Sequence, residues 1–353
     1  MKKQLLLTLS ILLFGGLAHG TPYVSGLAGN FSNDQPVTIH GAGFGAHNLQ
    51  VEWLGGASGH IETAPAGADF ASPGWSFNLD RFKPTYDNSH AYSGTQSIIF
   101  DGVNTGDGRF GLTYDPGAPV TFGYVSWMVY IDTGGASGQW KMFRMNWENN
   151  VQDTFPEVVL FNWFGSSDTL NIRRSKEDIT ARHYPGRLPE AGEWVRMELY
   201  LQPSSAPGVG DGSVEVWAHR PGQVIEKIAD HQNLVTYGPG ESRLWRYFVF
   251  QNYQGNGLGG RSRVWMDDLY IQGTRARVEI GNAPTWSACT QREVQKPAAW
   301  DDSAITLSLN QGTFAAGQQV YLYVVDAAGN VNEQGYPLVL GAAGPVIATA
   351  QPL

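Results

Sequence analysis

Strand-length segments in which apolar and polar side chains alternate recur along most of the chain. This period of two constrains the fold more than any other feature. Residues 125–131, 140–147, 158–164, 194–201, 214–217, 246–253 and 264–271 all follow it. Turn clusters such as Asp132-Thr133-Gly134-Gly135 and Asp211-Gly212-Ser213 separate them. Nowhere does an apolar period of 3.6 run long enough for a helical bundle. The 44 glycines, 19 prolines and 12% aromatic residues suit many short strands joined by tight turns. With 42% hydrophobic residues a sizeable core can be buried, so a disordered chain is excluded. The expectation is an all-β protein, and 353 residues suggest two or three domains.

A formal net charge of −9 argues against a nucleic-acid partner, which needs a basic face to displace counterions. A single cysteine, Cys289, makes an intramolecular disulfide impossible. Lys2 and Lys3 precede an apolar run over 5–17, and Ala18-His19-Gly20 offers small residues where a signal peptidase reads. A signal peptide over 1–20 with cleavage before Thr21 is expected. The run is shorter than the ~20 residues of a bilayer span, and no cysteine follows it for lipidation. No second apolar span follows, so the mature chain should carry no integral membrane segment. It is expected in the periplasm or outside a bacterial cell.

Near the start, Pro36-Val37-Thr38-Ile39-His40 leads into Gly41-Ala42-Gly43-Phe44-Gly45. No helical pattern and no Lys-Ser/Thr pair follow these glycines, so they read as a structural turn rather than a phosphate cradle. The run resembles the opening of IPT/TIG-type immunoglobulin-like domains. The pieces that continue that family come more than two hundred residues later. They are Val278-Glu279-Ile280-Gly281, then Trp300-Asp301-Asp302-Ser303-Ala304-Ile305-Thr306-Leu307, then the stretch from Val320 to Gly329-Asn330. This predicts one sandwich in two parts, 21–48 and 274–342, split by an insertion over 49–273 and followed by a tail over 343–353. In the other arrangement, residues 22–46 form an edge of the middle domain and 276–342 fold alone.

Within the insertion, three segments stand in order: Gly192-Glu193-Trp194-Val195-Arg196-Met197-Glu198-Leu199, Asp211-Gly212-Ser213-Val214-Glu215-Val216-Trp217, and Val264-Trp265-Met266-Asp267-Asp268-Leu269-Tyr270-Ile271. They resemble the closing strands of concanavalin A-like lectin/glucanase domains and of polysaccharide lyases sharing that fold. The predicted architecture is therefore a concanavalin A-like jelly-roll sandwich inserted into, or flanked by, an immunoglobulin-like β-sandwich.

Jelly rolls of this kind bind glycans on the concave sheet. Alternation assigns Phe143, Met145, Phe248 and Phe250 to the core, leaving Trp140, Arg144, Asn146, Tyr247, Gln251 and Tyr253 on the opposite face. Such a row suits sugars: aromatic rings cover apolar pyranose faces, while amides and guanidinium bond hydroxyls and carboxylates. The same residues would also serve on a merely solvated sheet face. Arg173, Arg174, Lys176, Arg182, His183 and Arg187 cluster nearby, and Arg243, Arg246, Arg261 and Arg263 flank the Tyr247 strand. Arginine forks suit carboxylate or sulfate groups.

The E-x-D-x-(x)-E strand of laminarinase-type glycosidases is missing, and lone acids such as Glu148, Glu157 and Glu198 do not replace it. Tyr247-Phe248-Val249-Phe250-Gln251-Asn252-Tyr253-Gln254 is similar to the Y-F-K-A-G-x-Y-x-Q strand of jelly-roll alginate lyases, although Val249 stands for its lysine and Gln251 for its glycine. The resemblance implies Tyr253 as proton-transferring tyrosine and Arg144 or Asn146 as carboxylate neutraliser. No histidine stands at the family's Q-I/V-H position; His90, His183 and His231 are candidates from elsewhere. No His/Cys cluster predicts zinc and no cofactor is expected, while Asp267 and Asp268 could join a structural calcium site. The leading reading is a secreted protein that binds a polysaccharide, neutral or acidic, on the concave face of the jelly roll. The runner-up is an endo-acting lyase of uronate glycans, and the third a structural or adhesive module.

Overall fold

The computed structural model describes residues 20–47, 52–54, 60–76, 83–102, 109–120, 123–132, 138–147, 157–164, 167–174, 177–183, 189, 191–236, 238, 245–254 and 262–342. The signal segment before Gly20 and the tail from 343 lie outside the described residues. No described helix is long and apolar enough to cross a membrane.

The chain begins with β1 (Tyr23–Gly29), β2 (Pro36–Ala42) and β3 (Glu52–Leu54), then one helical turn, His60–Thr63. Next come β4 (Trp75–Ser76), β5 (Thr85–Asp87), β6 (Ser97–Asp101) and β7 (Arg109–Tyr114). Longer strands follow: β8 (Gly123–Ile131), β9 (Gly138–Trp147), β10 (Glu157–Phe164), β11 (Ser167–Arg174), β12 (Glu177–His183) and β13 (Trp194–Gln202). Then come β14 (Gly212–His219), β15 (Glu226–Leu234), β16 (Trp245–Gln254) and β17 (Arg263–Gln272). The last group is β18 (Arg277–Gly281), β19 (Arg292–Trp300), β20 (Ala304–Ser308), β21 (Gln319–Val325) and β22 (Tyr336–Val339). The protein is all-β, as its period-two alternation predicts.

Two antiparallel sheets form a jelly-roll sandwich. The first has the order β12-β11-β10-β9-β16-β7-β4; the second has β15-β14-β13-β8-β17-β6-β5, with β3 added along β17. Each strand sends every other side chain inward. Phe143, Met145, Phe248 and Phe250 of the first sheet thus meet Trp127, Val129, Met197 and Leu199 of the second in one core. Trp127 is fully buried, stacked on Phe143 at a ring separation of 5.3 Å and edge-on to Phe250 at 5.5 Å.

The third sheet has the order β1-β2-β20-β19-β18-β21-β22. Strands from both ends of the described chain share it: Ile39 of β2 pairs with Ile305 of β20. Midway along, β19 changes partners, since residues 292–295 pair with β18 and residues 296–300 with β20. That exchange folds the sheet over a second core, in which Val24, Val37, Ile39 and Leu307 face Val278, Ile280, Leu322 and Val324.

The outer face of the second sheet packs against this unit through buried charge. Arg196 of β13 donates from Nη1 to Glu279 Oε2 of β18 at 2.9 Å and to the Arg292 carbonyl at 2.8 Å; its Nε donates to Ser126 Oγ at 2.9 Å. Arg277 Nε donates to Glu279 Oε1 at 2.6 Å, and the Arg277 guanidinium lies 4.4 Å from the Tyr124 ring centre. Arg292 covers the Trp286 ring at 3.4 Å. Although burial opposes ionisation, Arg196, Arg277 and Arg292 bring the Glu279 carboxyl down to about 2. Burial also draws the His219 imidazole down to about 4 against the pull of Glu198, so the ring is neutral at pH 7.

Removing one partner of a buried pair leaves an uncompensated charge. Glu279→Gln is expected to destabilise the protein by about 3–5 kcal/mol in denaturant titration. A loss below about 1 kcal/mol would mean that the network is solvated. The two shifts act in the same direction with pH. Folded His219 resists protonation, so its contribution is complete above pH 6.5 and is lost as pH falls to about 4. Glu279 contributes fully above pH 4.5, and its share is lost as pH falls towards about 2. The melting temperature should therefore drop steadily below pH 6.5, and a level profile from pH 7 to 4 would contradict the neutral buried histidine.

Candidate functional site

The first sheet has one face in the core and the other turned away from it. On β16, Phe248 and Phe250 enter the core, leaving Val249 and Gln251 on the outer face. On β9, Phe143 and Met145 enter it, leaving Arg144 between them on the outer face; on β7, Leu112 enters it and Thr113 does not. Register brings these together. Val249 pairs with both Arg144 and Thr113, and Gln251 pairs with Gly111 one step along. Arg144, Gln251 and Thr113 are each only 1% exposed. Gln251 Oε1 and Thr113 Oγ1 have no hydrogen-bond partner among the described residues. Tyr247 is half-buried, with the Arg246 guanidinium 5.3 Å from its ring centre, and it pairs with Asn146.

Irregularities in the pairing limit what alternation alone can assign, among them a shift between Trp245 and Tyr247 of β16. Between the pairs Phe250↔Phe143 and Tyr253↔Lys141, β16 advances three residues while β9 advances two. Between Leu160↔Phe143 and Phe161↔Lys141, β9 advances two while β10 advances one. These are β-bulges, and each resets which face the next residue takes. Met142 and Phe143 are accordingly both in the core. The period of two therefore links Arg144 to Asn146, but it does not carry across the bulges to Trp140 or Tyr253. The side chains of Trp140, Asn146 and Tyr253 lie outside the described residues, as do those of Arg173, Arg174, Lys176, Arg182, His183 and Arg187.

The other sequence candidates are placed elsewhere. His90 packs, with tilted rings, against Trp265 and Tyr130 at 4.3 and 4.7 Å, and so lies on the second sheet rather than on this face. His231 is buried on β15, also in the second sheet. Arg246 holds Asp115 with two bonds, at 2.6 and 2.8 Å, and Arg263 pairs with Asp101 and Asp132. Glu198 is buried against Arg196, and Arg196, His219 and Arg277 hold its carboxyl well below the usual range despite burial, so it is no proton donor. Asp267 accepts the backbone N–H groups of Tyr92 and Ser93, while Asp268 accepts the Ser93 hydroxyl. Burial and the neighbouring Asp268 push Asp267 well up. Among the described residues no three His, Cys, Asp or Glu gather as a metal site requires.

Thr113 is a member of the outer row that the sequence reading overlooked. The signal is present in Arg109-Phe110-Gly111-Leu112-Thr113-Tyr114, where Thr113 alternates with the core residue Leu112.

No protein-family model matches the sequence, and no curated protein matches it. Solved structures do resemble it. An alginate lyase from a Chlorella virus has a TM-score of 0.40 at 11% identity, over 52% of this chain and 87% of its own. The cellulose-induced protein Cip1 has a TM-score of 0.39 at 15% identity, over 58% and 94%. An alginate lyase from Pseudomonas aeruginosa has a TM-score of 0.35 at 12% identity, over 64% and 99%.

A buried hydroxyl without a partner costs stability. Thr113→Val replaces it with a group of the same shape, so the protein should be unchanged or more stable by roughly 1 kcal/mol. A loss of more than about 1 kcal/mol on denaturation would show that the hydroxyl is satisfied in the folded state.

Proposed function

We propose that the protein is a secreted, polysaccharide-binding protein, and that its glycan lies along the outer face of the first sheet. The observation that carries this reading is the buried polar row itself. Arg144, Gln251 and Thr113 sit where a purely structural sheet could carry apolar residues, and two of their oxygens lack partners among the described residues. Sugar hydroxyls would satisfy both oxygens, Arg144 would take a carboxylate or hydroxyl, and Tyr247 would offer a ring to a pyranose face. Asn146, opposite Tyr247, and Trp140 and Tyr253 on the same two strands complete the proposed set. An acidic glycan suits the arginine. In this reading residues 21–48 and 274–342 form one IPT/TIG-like unit, 49–273 form the jelly roll, and residues 1–20 direct export.

Because the row is closed to solvent, a glycan must open this face to reach it, and each bond made there gains strength from the low dielectric. Incubation with a panel of acidic polysaccharides should retard the protein in affinity gels containing one of them. Amide exchange on β9 and β16 should change in the same sample. Gln251→Ala is expected to weaken the retardation at least tenfold, while Lys83→Ala, on a distant surface ion pair, leaves it intact. Retardation without any effect of Gln251→Ala would overturn the placement. A rise in ultraviolet absorbance from unsaturated uronate ends, abolished by Tyr253→Phe, would instead make the protein a lyase.

A further inference from the structure

A second candidate site lies on the opposite side of the jelly roll, where its second sheet meets the third. There β13, β14 and the turn after β14 face the segments flanking β19 across a cleft of about 280 Å³. Its wall carries Arg196, Arg220 and Arg292 together with His219, and none of its thirteen described lining residues is an acid. The balancing carboxylates stand behind it: Glu279 and Glu198 on Arg196, and Glu193 on Arg220 at 2.6 Å.

His219 supplies an independent sign of a missing ligand. Its ring is buried, Nε2 lies 2.6 Å from Glu198 Oε1, and Nδ1 has no hydrogen-bond partner among the described residues. With the ring proton on Nε2 facing Glu198, Nδ1 is a bare acceptor buried within a residue that forms part of the cleft wall, suited to a hydroxyl donor. The remaining wall is amphipathic. Trp194 and Tyr92 meet edge-on at 6.0 Å, and Thr290, Gln291 and Thr313 add polar groups. Tyr92 is fixed by its own bond to Glu293 at 2.7 Å.

Guanidinium groups call for an anion, the imidazole acceptor for a hydroxyl, and the indole for a ring face. One small molecule meets all three. We infer that this cleft binds a single carboxylate-bearing sugar ring, of the uronate type, in a site separate from the sheet face. The volume lies near the lower end for small-molecule sites, which suits one ring rather than a chain. The assignment does not rest on the sheet-face reading, since no lining residue is shared.

Calorimetric titration of the full protein with D-glucuronate tests it, with D-glucose and sodium sulfate as the comparison ligands. Glucuronate should bind, glucose should bind at least tenfold more weakly for want of the carboxylate, and sulfate should also bind more weakly for want of the ring. Arg220→Gln, at the partly exposed rim, should weaken glucuronate at least tenfold. Trp194→Phe should weaken it severalfold, and melting curves would verify that both variants fold. Tyr247→Ala, on the other sheet, should leave glucuronate binding unchanged even if polysaccharide binding is lost. No heat with glucuronate, or full affinity in both folded cleft variants, would overturn the site. Sulfate binding as tightly as glucuronate would overturn the sugar assignment.

Discussion

Arg196 lies near the start of a strand whose neighbouring residues, Val195 and Met197, are core residues, yet it is buried too. That is sustainable only because the third sheet delivers Glu279 and the Arg292 carbonyl to it. Around β13 the second sheet is covered on both sides as a result, by the jelly-roll core on one and by this charged layer on the other. Buried ion pairs cost much of what they return, so the layer adds less to stability than an apolar one of the same shape. What it does is fix position. A guanidinium with four directed contacts tolerates little sliding, and the cleft beside it keeps its shape for that reason.

The two outer faces of the jelly roll consequently differ in kind. The face toward the third sheet carries a layer of charge paired across the junction, with Arg196 and Arg277 on Glu279 and Glu198. On the first sheet, Thr113 and Gln251 hold oxygens without a hydrogen-bond partner among the described residues. Unsatisfied buried polar atoms in a folded protein are uncommon enough that each calls for a physical reason, and a hydroxyl-rich ligand is the one proposed at both places.

Alternation in the sequence was sufficient to assign the all-β class and the inward set Phe143, Met145, Phe248 and Phe250, because a buried sheet face imposes strict parity. It fails where an extra residue enters a strand, and nothing in Lys141-Met142-Phe143 or Gln251-Asn252-Tyr253 marks a bulge, with neither glycine nor proline present. The junction was illegible for a different reason. Arg196, Arg277 and Arg292 are far apart in sequence and each reads as an ordinary exposed charge on a strand. The available signal was subtler: Arg196-Met197-Glu198-Leu199-Tyr200 alternates core residues with charged and aromatic ones, the pattern of a face covered by something polar rather than by water.

Placement on opposite sides of one sandwich separates the two candidate sites physically. Between them lie the Trp127–Phe143–Phe250 stack and the whole thickness of the second sheet. Distant sites with no shared partners are expected to respond independently to substitution. A ligand at the cleft would reach the sheet face only through the strands of the second sheet that line it, where Met128, Trp194, Arg196 and His219 sit. A guanidinium held by Ser126, Glu198, Glu279 and the Arg292 carbonyl is a poor element for passing on a shift. The geometry thus favours two separate recognition surfaces, one for a chain and one for a single ring, over a coupled pair.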